Sequence, residues 1–245
     1  MSEERNLSLN NAPLIDVVIP AFNEENAVGQ VIDDLPKHLL RHIVVCDNGS
    51  SDNTAQQVLD RNAIVVYEAR KGYGSACLKA LSYIRDSEPL PAIIVFLDAD
   101  YSDNGEELID LVQPIIEDQY EMVIGSRVLG QVEKGALTQP QRYGNALATF
   151  LIRLIYGVRY TDLGPFRAIT FSALEKLEMS DPDYGWTVEM QIKAARQKLK
   201  LKEVPVSYRK RIGHSKVSGT LKGVFMAGYK ILGLIFWYAL MKKKR

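Results

Sequence analysis

Short apolar runs alternate with helical patterns through the first half of the chain. Residues 15–20, 42–47, 63–67, 92–98 and 122–125 read as strands, and residues 25–35, 52–60, 75–86 and 105–117 as helices. Apolar strands that each lead into a helix predict an α/β fold with a Rossmann-like, mostly parallel central sheet and helices on both faces. The second half is less regular. Helices are expected at 145–160 and 186–197 and a strand at 201–208, followed by the basic loop RKRIGHSKVSG and a closing segment GVFMAGYKILGLIFWYALMKKKR. No repeat of fixed period or low-complexity linker interrupts the pattern, and 245 residues suit one large α/β domain with a C-terminal appendage. The expected boundaries are a disordered N-terminus at 1–12, the α/β domain at 13–219 and an apolar, basic, amphipathic helix at 220–245.

Open sheets of this kind bind ligands beyond the carboxyl ends of their strands. The strand endings PAFNEE, DNGSSDNT, EARKGYGS, DADYSD and GSR are therefore expected to share one crevice. The run AIIVFLDAD is the most informative, because Asp98 and Asp100 lie two apart and so on the same side of an extended chain. Two hard oxygen ligands suit Mg²⁺ or Mn²⁺, which also take substrate phosphates. The competing reading is that Asp98 ends a buried strand and Asp100 caps the next helix. In DNGSSDNT, Asp47 can accept from a base N–H while Gly49 permits a tight turn, although a plain capped turn has the same composition. RKGYGSA places Lys71 and Gly72 before a helix start, where backbone N–H groups can hold phosphate oxygens. It lacks the GKS/T ending of an ATP-binding loop, and Cys77 takes the third glycine position of a dinucleotide fingerprint.

Charge changes the picture at the C-terminal end. From Lys198 to Arg245 there are thirteen Lys and Arg and one acid, a net +12, while the other 17 basic and 29 acidic residues leave the first 197 positions at −12. Such a tail favours phosphates or an anionic membrane surface, and no feature points to nucleic acid. Two cysteines without CxxC spacing fit a reducing cytosolic setting, three histidines form no metal-ligand pattern, and MSEERNLSLNNAPL carries no signal-peptide stretch.

Taken as an ordered set, PAFNEEN, DNGSSDNT, KGYGSA, LDAD, VIGSR, DLGPFRAI and YGWTVEMQIKA closely resemble family 2 glycosyltransferases with the GT-A fold. The nearest subgroup in appearance is the polyprenyl-phosphate (dolichyl-phosphate) mannose or glucose synthases. The resemblance implies that Pro20, Ala21 and Glu24 border the nucleotide, that Asp47 contacts the base, and that Lys71 and Gly72 lie near base or ribose. It implies a metal at Asp98 and Asp100, with Asp100 the direct ligand and Asp98 nearer the ribose or metal waters. Arg127, Arg209, Arg211 and Lys216 would bind donor diphosphate or acceptor phosphate. Asp162 and Glu189 are the acidic candidates beside the acceptor, against a turn residue and a helix-face ion-pair partner respectively. Arg167 is expected to pair with a carboxylate beneath the site. QxxRW and an array of membrane spans are both missing, which argues against processive polymer synthesis.

The expected reaction moves one hexose, with inversion, from a UDP- or GDP-hexose to polyprenyl phosphate at the cytoplasmic membrane face. A lipid phosphate is already anionic and needs positioning rather than deprotonation. A glycan or other hydroxyl acceptor is the alternative, and it would require Asp162 or Glu189 as general base. A non-catalytic nucleotide-sugar-binding protein is the reading from another class. The tail bears on the acceptor too: Ile231–Met241 is an apolar run of eleven residues, about 16 Å as helix against the ~30 Å hydrocarbon core. An interfacial helix, peripheral at the inner face and anchored by residues 242–245, is the expectation, with residues 145–160 on the same surface.

Overall fold

The structure is a computed structural model that describes residues 13–213 and 221–241. Seven strands form one sheet: β1 (Ile15–Ala21), β2 (His42–Asp47), β3 (Ile64–Tyr67), β4 (Ile93–Phe96), β5 (Met122–Ser126), β6 (Arg167–Thr170) and β7 (Leu201–Pro205). Their spatial order is β3-β2-β1-β4-β6-β5-β7, and only β6 runs against the others. Successive residues of each strand point to opposite faces. Val18, Val44, Cys46, Ile94 and Phe96 thus enter one core, and Val17, Ile19, Val45, Ile93 and Val95 the other. Both faces are dry, which is why the strands read as unbroken apolar runs.

Helices α1 (Val28–Asp34), α2 (Thr54–Leu59) and α4 (Leu108–Asp118) cover the second core, with α3 (Tyr73–Arg85), α5 (Gln139–Tyr156), α6 (Phe171–Leu177) and α7 (Trp186–Gln197) on the first. α8 (Leu221–Leu240) lies over α5 and α7. Trp186 packs edge-on against Phe96 with ring centroids 5.9 Å apart, fixing the start of α7 beneath the end of β4.

β7 ends at Pro205, three residues short of position 208, and three other elements depart from expectation. The β6–α6 unit was not anticipated, because four residues beginning with an arginine lack the length of a strand signal and run directly into a helix. α5 begins six residues earlier than position 145, at a capping box in which Thr138 and Gln141 satisfy each other's backbone N–H groups. α1 begins at Val28, since Glu25–Ala27 form a turn that closes on Glu24 O, and Glu24 N–H donates to Thr54 Oγ1. The N-terminal segment 1–12, Lys216 and residues 242–245 lie outside the described residues.

Candidate active site

All five expected endings contribute to one cleft of about 750 Å³. Pro20, Ala21 and Glu24 come from the end of β1, Asn48 from that of β2, and Lys71 and Gly72 from the turn after β3. Asp98 and Asp100 follow β4, and Arg127 follows β5. The cleft continues between α5 and α8, where Gly144, Asn145, Gly228 and Ile231 line it.

The acidic wall forms because β4 stops at Phe96 and the chain turns through Tyr101, which has φ 66°. Segment 208–212 then runs back along this turn: Arg209 N–H donates to Ser102 O at 2.8 Å and Ile212 N–H to Asp100 O at 2.9 Å. That pairing brings Arg211 Nη2 to 2.9 Å from Asp100 Oδ2 and 3.4 Å from Glu24 Oε1. Asp100 Oδ1 accepts from Ser102 N–H at 2.9 Å and from its hydroxyl at 2.5 Å, while Asp98 Oδ1 accepts from the Tyr73 hydroxyl at 3.0 Å. A third acid, Asp103, is buried beside them; its Oδ2 accepts from Asp98 N–H at 3.3 Å, and its Oδ1 has no partner among the described residues.

Burial and the Asp100 charge push the Asp98 carboxyl up to about 7, against the opposing pull of Tyr73 and Arg211. Burial, then the charges of Asp98 and Asp100, hold the Asp103 carboxyl well above its ordinary range. Crowded acids in a dry wall call for a cation, and the Arg211 guanidinium partly supplies one at Asp100. A divalent ion fits the same donor set. Among the described residues no group of three or more His, Cys, Asp or Glu is arranged to hold a metal, so substrate oxygens and water would have to complete its shell.

The expected cations divide. Arg127 lines the cleft, its guanidinium 5.0 Å from the centre of the Tyr208 ring. It is held by Asp162, whose Oδ2 accepts from Arg127 N–H and Nε–H at 2.8 Å each and whose Oδ1 accepts from Nη2 at 2.7 Å. Burial works against the Arg127 charge, but the Asp162 hydrogen bonds and charge outweigh it and raise its pKa. Arg209 is not in the cleft. It pairs with Asp34 at 2.8 Å, donates to Asn104 and stacks on Tyr101, so the structure ties the loop to α1 through this residue instead of offering it to phosphate.

The start of α3 also differs from expectation. Its Gly74 and Ser75 N–H groups donate to Asp183 O at 3.3 Å and Pro182 O at 2.8 Å, so backbone carbonyls fill the place proposed for phosphate oxygens. The two glycines serve that crossing: a Cβ at Gly72 or Gly74 would collide with the carbonyl oxygens of Pro182 or Asp181. Lys71 donates to Asn48 O at 2.8 Å and Gly49 O at 2.7 Å and sits 3.8 Å from the Phe22 ring centre. Gly49 adopts φ 75°, as a tight turn requires, and buried Asp47 accepts from Ser50 N–H at 2.8 Å beneath the lining residue Asn48.

Glu189 lies away from the cleft. Its carboxylate accepts from Ser180, from Asp181 N–H at 2.7 Å and from the Tyr238 hydroxyl at 2.8 Å, and pairs with Lys193 at 2.8 Å. Burial would raise its pKa, but Lys193, the Asp181 N–H and Ser180 together lower it. Arg167 is fully buried and pairs with no carboxylate among the described residues; it donates to the carbonyls of Thr187, Leu163 and Gly164, bracing the start of α7 against the 163–164 loop, both of which reach the cleft.

Reading from sequence passed over Phe22, Asn48, Tyr73, Asp103 and Tyr208. Asp103 carried a signal, a third acid three positions after Asp100, as did Tyr73, an aromatic wedged between two turn glycines. Tyr208 carried none, because its place depends on segment 208–212 pairing with a turn a hundred residues earlier.

Acids beyond one strand and cations beyond another, facing one cleft at the carboxyl ends of a mostly parallel sheet, are the arrangement expected of a GT-A-type glycosyltransferase. The sequence profile of Glycosyl transferase family 2 matches residues 16–178, and the chain belongs to that family. Among curated relatives, the UDP-N-acetylglucosamine–dolichyl-phosphate N-acetylglucosaminyltransferase of Methanococcus voltae is 30% identical over 79% of this chain and 84% of its own. The dolichyl-phosphate hexose transferase of Haloferax volcanii is 31% identical over 82% of this chain and 85% of its own. The fold matches glucosyl-3-phosphoglycerate synthase of Mycobacterium tuberculosis, solved with Mn²⁺, UDP and product, at TM-score 0.74 and 20% identity over 95% of this chain and 82% of that one.

Proposed function

We propose that this glycosyltransferase moves one hexose from a nucleoside-diphosphate sugar to polyprenyl phosphate, with inversion, at the cytoplasmic face of a membrane. The observation that carries the acceptor is that both candidate bases are occupied: Asp162 by Arg127, Glu189 by Ser180, Asp181, Tyr238 and Lys193. A hydroxyl acceptor needs a free base within hydrogen-bond reach, whereas a phosphate monoester arrives anionic. Relatives named as dolichyl-phosphate transferases point the same way.

In this reading the donor nucleoside lies along Pro20, Ala21, Asn48 and Lys71, with the diphosphate toward Asp98, Asp100 and Arg127. Asp100 and Asp98 would hold Mg²⁺ or Mn²⁺, both found with UDP in the fold's solved neighbours. The ion would neutralise charge on the departing nucleoside diphosphate. Arg127, braced by Asp162, and Arg211 add positive charge on the same side, so either phosphate group meets preorganised cations.

The surface supports a membrane location. Tyr143, Leu147, Phe150 and Leu154 recur at helical spacing on α5 and are half to three-quarters exposed, and Met226, Tyr229, Phe236, Trp237 and Leu240 extend the apolar face on α8. Among the described residues no helix is long and apolar enough to cross a membrane. This helix pair would lie in the interface with residues 242–245 near anionic headgroups.

The test is incubation of the full chain with membrane lipids and a panel of labelled nucleotide sugars. Label entering a mild-acid-labile lipid, and no label with Asp100→Ala, is the expected result. Label only in water-soluble products would overturn the acceptor, and wild-type turnover by a folded Asp100→Ala protein would overturn the metal assignment.

A further inference from the structure

We propose that Tyr73 is a positioning residue for Asp98 and that the 181–185 loop, pinned by α8, sets where Tyr73 stands. The inference rests on the assignment of Asp98 to the metal and donor wall. The Tyr73 hydroxyl makes the single side-chain hydrogen bond that Asp98 has among the described residues, at 3.0 Å. A carboxylate with one donor takes the rotamer which that donor selects, so the place of the phenol decides where Asp98 presents its oxygens.

That place is unusually constrained. Tyr73 is the first residue of α3 and stands between Gly72 and Gly74, both pressed against the 181–185 loop so closely that neither tolerates a Cβ. The Gly74 and Ser75 N–H groups donate into the loop, and Gly72 N–H donates to Asn48 Oδ1 at 2.8 Å on the cleft's other side. The loop is fixed in its turn: Asp181 Oδ1 accepts from Asp183 N–H at 2.8 Å and Gly185 N–H at 3.1 Å. On α8, Lys230 Nζ lies 2.8 Å from Asp181 Oδ2 and 3.8 Å from Asp183 Oδ2, and Leu234 occupies the space that a side chain at position 185 would need. Direct contacts thus run from α8 through the loop and the start of α3 to Asp98. The lysine that interrupts the apolar C-terminal segment has its reason here, and α8 becomes part of the donor site's framework as well as its outer surface.

Mn²⁺ binding to the full chain with UDP present, followed by the EPR signal of the free ion, tests the chain of contacts. Loss of a hydrogen bond to a charged group predicts that Tyr73→Phe weakens Mn²⁺ affinity about tenfold. Lys230→Met, two links away, should weaken it about threefold at the same UDP concentration. Both should raise KM for the metal–donor complex more than they lower kcat. Tyr73→Phe should keep its melting midpoint, while Lys230→Met, which leaves the buried Asp181 carboxylate without its cation, should lower its own by at most about 8 °C. Tyr83→Phe, on the exposed side of the same helix, should change nothing. Wild-type affinity in Tyr73→Phe would overturn the positioning role, and wild-type affinity in Lys230→Met would overturn the link to α8. A loss of affinity accompanied by a collapsed melting midpoint would assign Tyr73 a merely structural role. If the wild-type chain binds no Mn²⁺ with UDP and none with GDP, the metal and donor reading fails together with this one; if only GDP supports binding, the same comparison of variants is made with GDP.

Discussion

The sharpest prediction concerns Asp162→Asn. The substitution keeps the side chain's shape and one acceptor oxygen but removes the charge facing Arg127, whose guanidinium is mostly buried. Removing one partner of a buried ion pair costs about 3–5 kcal/mol, because the surviving charge is left uncompensated. The retained carbonyl places this variant near the lower end, about 3 kcal/mol, a large share of a typical ~5–15 kcal/mol stability. The urea midpoint should fall accordingly, and Arg127→Met on the same background should recover part of the loss, since it removes the stranded charge. On turnover, Asp162→Asn should act through a loosened Arg127: KM rises and kcat falls roughly tenfold, with no change in the shape of the pH–rate profile. A general base would behave otherwise. Its loss costs about 10²–10⁴ in rate and removes the acidic limb of the profile, where rate falls as the base takes up a proton, while leaving stability alone. A variant with the wild-type urea midpoint, a thousandfold loss in kcat and an altered pH profile would refute the argument and restore Asp162 as base.

Three further outcomes are expected. Gly74→Ala should lower the melting temperature sharply, because its Cβ would meet Asp181 O, whereas Gly144→Ala inside α5, with open space around it, should gain about 0.5–1 kcal/mol; equal effects in calorimetry would contradict the close crossing. Burial raises the Cys46 thiol to about 12 and the Cys77 thiol well above its usual value, so at pH 8 both stay protonated; a thiol reagent should modify neither until denaturant is added, and rapid native modification would contradict this. Anionic vesicles should blue-shift the emission of Trp237, which is 61% exposed, and leave that of buried Trp186 unchanged; a Trp237→Phe protein that still shows the full shift would refute contact through α8.

Much of the architecture was legible because its signals are local. β2 and α7 occur at their expected bounds, and the five strand endings meet as the parallel-sheet rule requires. β6 was hidden because a sheet residue is recognised by its run of neighbours, and Arg167 buried against carbonyls breaks that run. The roles of Asp162 and Arg209 were hidden for another reason. Their partners lie far along the chain, at Arg127 and Asp34, and no spacing rule links such positions. Glu189 was half legible, because Lys193 four residues on is the helix-face partner its spacing offers, while Ser180, Asp181 and Tyr238 come from outside its helix. An acid in a motif is visible in sequence, while whether a cation has already claimed it is a property of the fold.

That distinction decides how the acceptor is read. Asp162 cannot both neutralise Arg127 and take a proton, since protonation would strip the countercharge from a mostly buried guanidinium that lines the cleft. An acceptor that brings its own anion removes the conflict. A water-soluble phosphate ester meets the charge condition but leaves the apolar faces of α5 and α8 without a purpose, although the cleft opens between those two helices. A hydroxyl acceptor held at a membrane uses the apolar faces but needs a free base that neither carboxylate supplies. The proposed acceptor, polyprenyl phosphate, would meet both conditions: its phosphate would face Arg127 and Arg211, and its chain would leave between α5 and α8, where Gly144 and Gly228 line the cleft.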